Sequence, residues 1–468
     1  AGCCCLRSRR TNRMHKASKG SLLALAGIVG LWIAANLALS ASFSEEEIYG
    51  DETAYAKHAW RSAHQGWTSL IPGNLSLTHH PSFHGHVLSQ LGPEATEDEG
   101  RLRAKQRPPK EYGITLVRRA TLLNIGLVSL VVVALYVQGL LLGLGPALSL
   151  LPGLLLCCLP RLVFHVHAIW SETLHLFFET MFLTCVVVAY RMRRLWLLVP
   201  AGLCLGYAIL TRSTLLFFAP VAAGMTALVF VRRNTGPVHA RLKRALAATA
   251  TLSVFASLVV VPQLVANRGN GNGLRLATNT WRNVEYGLRR PAPGDDPQVR
   301  SVDWRAATKQ YRRPGPPKLH PVKPINRELH SRRRTFEFVA SLPVSRHIVR
   351  QWRKLWMLLG GNPMLAHAVR AERWGPASAR LEPWVALDAT YWRGLVILGL
   401  VGAALSSRQS AGHSLIATFV GYYLLALFVA SINVRVALQL VPALCLSVGS
   451  LIAFAAQTMR NWWRTARV

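Results

Sequence analysis

Acidic residues are scarce in this chain: 21 Asp and Glu stand against 54 Lys and Arg, for a formal net charge of +33. Charge of either sign is thin, at 16% of residues. A soluble chain of 468 residues could bury a large core, but it rarely strings apolar runs of about 20 residues along most of its length. This chain does, so the class is a polytopic membrane protein. The eight cysteines form no disulfide framework and no CxxC metal pattern. The first apolar run is long enough to span, and the small residues after it make no convincing cleavage site, so it reads as an uncleaved anchor. The "CCC" at Cys3–Cys5 belongs to an unmodified tail, since nothing else supports acylation. No internal repeat suggests a secondary transporter. No nucleic-acid-reading motif accompanies the charge, so nucleic acid is not an expected partner. Basic residues beside apolar runs point to membrane topology and anionic lipid instead.

Ten spans are expected, over 21–42, 119–142, 145–163, 171–190, 195–211, 214–231, 245–266, 389–406, 413–431 and 436–456. With the N-terminus in the cytoplasm, the inside segments carry 18 Lys and Arg and no Asp or Glu. That is a positive-inside pattern, and it supports the whole register. The expected organisation is a basic tail over 1–20, spans 1–7 over 21–266 with an external loop at 43–118, a basic external loop over 267–388, spans 8–10 over 389–456, and a cytoplasmic tail over 457–468. Both termini are then cytoplasmic. Within the second loop, Val344, Ile348, Val349, Trp352, Leu355, Trp356 and Leu359 recur at helical spacing, with Arg346, Arg350, Arg353 and Lys354 between them. This predicts an interfacial amphipathic helix near 343–360, with Ser341 as its cap. Residues 291–324 read as an irregular loop and 93–111 as a solvated polar insertion.

The topology gathers charge on one face. "EEEIYGDETAYAKHAW" at 45–60 holds five acidic residues within eight positions, just beyond the first span. Glu45, Glu46 and Glu47 read as a solvated run. Asp51, Glu52, Glu172, Arg212 and Arg435 all fall at the outer ends of spans. Singly, the arginines read equally as snorkelling anchors and Glu172 as a helix-start carboxylate. Together they are a candidate site, because ionisable groups at span ends need partners or a ligand. Guanidiniums suit a phosphate. A nearby carboxylate suits proton abstraction from an acceptor hydroxyl or amine. The chemistry indicated is group transfer from a lipid-phosphate donor.

Several motifs, in order, resemble the GT-C integral-membrane glycosyltransferases that use polyprenyl-phosphate sugars (family 39-like), such as protein O-mannosyltransferases and the lipid A aminoarabinose transferase. "GDETAYAKHA" resembles their acidic pair plus tyrosine, implying Asp51 as the catalytic carboxylate with Glu52 and Tyr55 beside it. "HHPSFHGH", containing His80 and His84, resembles the Pro-containing segment of the first external loop, which is more apolar in the family. "LPRLVFHVHAIWSETLHLFF" places Glu172 and "LGYAILTRSTLLFFAP" places Arg212. "VANRGNGNGLRLATNTW", with Asn267 and Arg268, resembles the start of the large external loop. "INVRVALQLVPALCL" places Arg435.

The resemblance implies an all-α GT-C-like fold with two long external loops carrying short interfacial helices. It implies a bacterial inner-membrane enzyme with its site outside. Asp51 is then the general base, Glu52 and Glu172 position substrate, and Arg212 and Arg435 hold the donor phosphate. Tyr55, His80, His84, Asn267 and Arg268 line the substrate loops. The partners implied are a polyprenyl-phosphate-linked sugar, membrane lipids and an acceptor glycan, lipid or protein. Some members of the family use a divalent metal ion; His79, His80, His84 and His86 offer imidazoles without a carboxylate at matched spacing, so the metal stays open. The alternative is a transporter or flippase of lipid-linked sugar or anionic lipid. Its mark is ionisable residues deep within spans, of which few are visible.

Overall fold

The computed structural model describes residues 17–42, 52, 55–56, 59–60, 82–92, 110–233, 237–269, 276, 284–285, 288, 324–360, 363–429 and 437–466. Among these residues the chain is helical throughout, with no strand. It is an all-α polytopic membrane protein, and each expected span falls on a helix or a helix pair.

Helix α1 (Lys19–Ala41) opens with a reciprocal serine cap. The Ser21 N–H donates to Ser18 Oγ and the Ser18 N–H to Ser21 Oγ, each at 3.1 Å. Two of the orphan donors at a helix start are thereby satisfied. Ser21 Oγ also meets Tyr136 Oη at 2.7 Å, fixing α1 to the bundle. After α2 (Ser82–Leu91), α3 runs over Lys110–Leu142, starting nine residues before the expected span. Its 33 residues extend about 50 Å, longer than the ~30 Å hydrocarbon layer. The extra turns bury Tyr112, Leu116 and Val117 in a second apolar cluster with Tyr55, Trp60 and Trp374.

The expected third span is bent. A 3-10 turn and α4 (Leu151–Cys157) precede α5 (Pro160–Val166), with a 63° bend between the two arms. Pro160 supplies no N–H, and Leu159 before it is extended (φ −82°, ψ 111°), so the helix cannot run through. The bundle continues with α6 (Glu172–Met192), α7 (Leu198–Thr211), α8 (Phe218–Arg233) and α9 (Val238–Gly269). Then come α10 (Pro324–Ala340), α11 (Val344–Leu358) and α12 (Pro363–Arg370). The last helices are α13 (Ala377–Ser406), α14 (Ala411–Val429) and α15 (Val441–Thr465).

Among the described residues, seven helices are long and apolar enough to cross a membrane, or eight if the bent pair is one span. The apolar stretches Leu195–Thr211 and Phe218–Val231, expected as spans five and six, are shorter. Packing relies on glycine where helices touch. A Cβ on Gly402 of α13 would lie 2.1 Å from the Ser447 carbonyl oxygen of α15, and one on Gly202 of α7 would lie 2.7 Å from the Leu252 carbonyl oxygen of α9. Without water to drive helices together, such close backbone approach supplies much of their attraction.

The amphipathic helix at 343–360 forms, but not as expected in detail. Ser341 closes α10 instead of capping α11: its hydroxyl donates to the Phe338 carbonyl at 2.7 Å. Val344, Ile348 and Trp352 point outward, 74%, 53% and 54% exposed. Arg350 and Lys354 point inward and both donate to the Leu288 carbonyl, at 3.0 and 2.9 Å. The helix therefore turns Arg350 and Lys354 of its basic face to the protein, and Val344, Ile348 and Trp352 of its apolar face away from it.

Candidate functional site

The site forms where the connection between α5 and α6, and the start of α6, meet the end of α7. Glu52 is fully buried. Arg373, in the turn after α12, donates to both its oxygens at 2.8 Å. The same guanidinium donates to the His167 carbonyl at 2.7 Å, and the Ile169 N–H donates to Glu52 Oε1 at 3.2 Å. One carboxylate and one guanidinium thus hold the short connection between α5 and α6 from both sides. A planar fork matched to a carboxylate is well suited to this.

That connection leads directly into Glu172, the first residue of α6. Glu172 Oε1 accepts from Arg212 Nη1 at 2.7 Å. The Glu172 side chain is buried, while Arg212 keeps 19% exposure. Arg212 directly follows α7 in extended conformation (φ −150°, ψ 122°), which swings it off the helix end. A carboxylate at a helix start also meets the positive end of the helix dipole.

Three further features frame the pair. His167 Nε2 lies 3.2 Å from Asn36 Oδ1 of α1. Burial, reinforced by the charge of Arg373, pushes the His167 pKa down to about 3, so the ring is neutral. Asn124 of α3 donates to the Val166 and Ala168 carbonyls, both at 3.1 Å. Arg161 of α5 donates to both oxygens of Asp388 on α13, at 3.1 and 2.9 Å, and its charge lies 4.2 Å over the Trp392 ring. Arg161 also reaches the Gly360 carbonyl at 3.2 Å, joining the outer helices to the bundle.

Of the residues singled out by sequence, Glu52, Glu172 and Arg212 are linked in this way. Tyr55 and His84 meet edge to face, with ring centroids 4.9 Å apart. Both are buried, and His84 shares a small cavity with Asn124, Ile169 and Trp170. Asn267 is buried elsewhere: it accepts from Gln263 at 3.0 Å and donates to the Leu276 carbonyl at 3.4 Å. Arg268, one residue on, is exposed. Asp51, His80 and Arg435 lie outside the described residues. Among the described residues, no three His, Cys, Asp or Glu side chains are grouped to hold a metal ion.

Sequence reasoning missed Arg373, Arg161, Asp388 and the buried polar residues of α6. Arg373 is one arginine in a basic loop, and nothing local marks it. Arg161 and Glu179 carried a usable signal, because an ionisable residue inside an apolar run calls for a partner.

No family model and no curated protein matches the chain. Among solved structures, the chain is similar to an oligosaccharyltransferase of Archaeoglobus fulgidus in the apo form, with 11% identity and a TM-score of 0.47 over 94% of this chain and 52% of that one. It is similar to ArnT of Cupriavidus metallidurans bound to undecaprenyl phosphate, with 16% identity and a TM-score of 0.33 over 92% of this chain and 78% of that one. It is also similar to the Saccharomyces cerevisiae protein O-mannosyltransferase Pmt1-Pmt2 complex bound to the sugar donor, with 13% identity and a TM-score of 0.40 over 55% of this chain and 35% of that one. The chain spans about half the length of the archaeal enzyme. At TM-scores below 0.5, none of these likenesses assigns a residue's role or an activity.

Proposed function

We propose that the chain is an integral-membrane glycosyltransferase that moves a sugar from a polyprenyl-phosphate donor to an extracytoplasmic acceptor glycan, lipid or protein. One observation carries this reading: the partly exposed Arg212 guanidinium, held at 2.7 Å by the buried Glu172 at the end of an apolar bundle. A guanidinium fixed on one side by a carboxylate keeps further donors for an anionic headgroup whose tail lies among the helices. Arg212, with Arg435, would stabilise the lipid phosphate as it leaves. Asp51 would take the proton from the acceptor nucleophile as the sugar bond forms. Glu52, with both oxygens bound by Arg373, would act by fixing the connection that carries Glu172. The setting proposed is a bacterial inner membrane with cytoplasmic termini.

Mass spectrometry of glycans and lipids from cells with and without the gene tests the reading. One sugar missing from one acceptor, with its lipid donor accumulating, is the expected result. Unchanged glycans and lipids would count against it.

A second reading, a transporter of lipid-linked sugar or anionic lipid, is favoured by Glu179. This ionisable group lies inside α6, as a carrier requires. Counter-transport of labelled lipid-linked sugar without transfer would select it.

A further inference from the structure

The chemistry above leaves unused a buried polar cluster beneath Arg212. His175 and Glu179 stand one turn apart on α6, and Tyr423 reaches them from α14. His175 Nε2 lies 3.1 Å from Glu179 Oε2 and 3.1 Å from Tyr423 Oη. Tyr423 Oη lies 2.9 Å from Glu179 Oε2. All three residues are buried.

Donors and acceptors can be assigned. His175 Nδ1 lies 2.9 Å from the Ala208 carbonyl, which can only accept, so Nδ1 carries a proton. In a neutral ring Nε2 must then accept. The single hydroxyl proton of Tyr423 cannot serve both neighbours. With Glu179 ionised, two proton-free atoms would face each other at 3.1 Å, with a net charge buried among the helices. One more proton closes the triangle. Glu179 Oε1 has no hydrogen-bond partner among the described residues. A bare oxygen there costs far less as the carbonyl of a neutral acid than as part of a carboxylate. The proton therefore sits on Oε2, which donates to His175 and accepts from Tyr423.

His175 and Tyr422, the neighbour of Tyr423, pin the turn that bears Arg212. The Ala208 carbonyl that accepts from His175 also accepts the Arg212 N–H, at 2.9 Å. On the other side, the Tyr422 hydroxyl donates to the Thr214 carbonyl. Residues 208 and 214 are thus held from α6 and α14, while the Arg212 side chain is held by Glu172.

We propose that His175, Glu179 and Tyr423 form a neutral cluster holding one trapped proton, and that this cluster positions Arg212 for an anionic lipid headgroup. The positioning half rests on the proposed function; the proton does not. Infrared spectra of the purified chain in lipid nanodiscs at neutral pH test the proton. A carbonyl stretch of a protonated carboxyl group is expected, and Glu179→Gln abolishes it. Its absence from the parent chain, or its persistence in the variant, overturns the assignment.

Undecaprenyl phosphate, used as a binding probe, tests the positioning. Glu179→Leu and His175→Phe weaken binding about tenfold or more. Glu179→Gln, which keeps a donor towards Nε2, recovers most of that loss. Equal losses in the Gln and Leu variants overturn the positioning role. If the parent chain does not bind the probe, the proposed function and the positioning role fall together, and the infrared comparison still decides the proton.

Discussion

Arg373 donates to both carboxylate oxygens of Glu52 at 2.8 Å, across 321 positions of sequence. Both side chains are buried, and the pair also binds the His167 carbonyl and the Ile169 N–H. Glu52 is thus a fastening for the segment that leads into Glu172.

Removing one partner of this pair leaves the other charge buried and uncompensated. Arg373→Met and Glu52→Gln are each expected to destabilise the chain by about 3–5 kcal/mol. The double variant should lose less than the two single losses combined. Thermal unfolding in detergent measures all three. Single losses below about 0.5 kcal/mol would show that the pair does not hold the connection.

Gly402→Ala tests the α13–α15 contact. The added methyl would meet the Ser447 carbonyl oxygen at 2.1 Å, a backbone atom that cannot swing aside. Helix separation should cost about 1–3 kcal/mol, read as a lower unfolding temperature. Gly224, with nothing within 4 Å of its added Cβ, is the control: its alanine variant should unfold close to the parent.

Arg212→Lys keeps the charge but loses the forked geometry. A drop in kcat/KM of about tenfold to a hundredfold is expected, and Arg212→Met should fall further. Steady-state kinetics over a range of donor concentrations separates the effect on binding from that on turnover. Unchanged kinetics in both variants would remove Arg212 from the site.

His167 makes stability depend on pH. Its folded pKa, about 3, lies below the ordinary value near 6.5. Above pH 6.5 neither state binds the proton, and this group contributes nothing. Below that, the unfolded chain takes up a proton that the folded chain refuses, so stability falls as pH drops towards 3. The loss is at most about 1.4 kcal/mol per pH unit, or about 2 kcal/mol at pH 5. His167→Gln should flatten that part of the pH–stability curve, and an unchanged slope would contradict the assignment.

Much of the fold was legible because apolar run length maps directly onto helices that must satisfy their own backbone in lipid. Pro160 was visible too, but whether it kinks a span or breaks it depends on neighbours that sequence does not show. The Glu172–Arg212 pair could be expected, since both residues end spans on one face. The Glu52–Arg373 pair could not, because pairing two residues so far apart requires the tertiary fold. Glu179 was readable as an ionisable residue in an apolar run, whereas its partners His175 and Tyr423 became evident only once α6 and α14 were packed. For Asp51 and Arg435 the case still rests on their sequence motifs.

The reaction proposed is glycosyl transfer with loss of a lipid phosphate. The direct measurement gives the purified chain, in nanodiscs, a panel of radiolabelled polyprenyl-phosphate sugars with a membrane extract as acceptor. It counts lipid phosphate released and sugar transferred. Equal amounts of both from one donor are predicted, with Asp51→Asn abolishing both while the protein stays folded. Full turnover by Asp51→Asn, or no released lipid phosphate from any donor, would contradict the account.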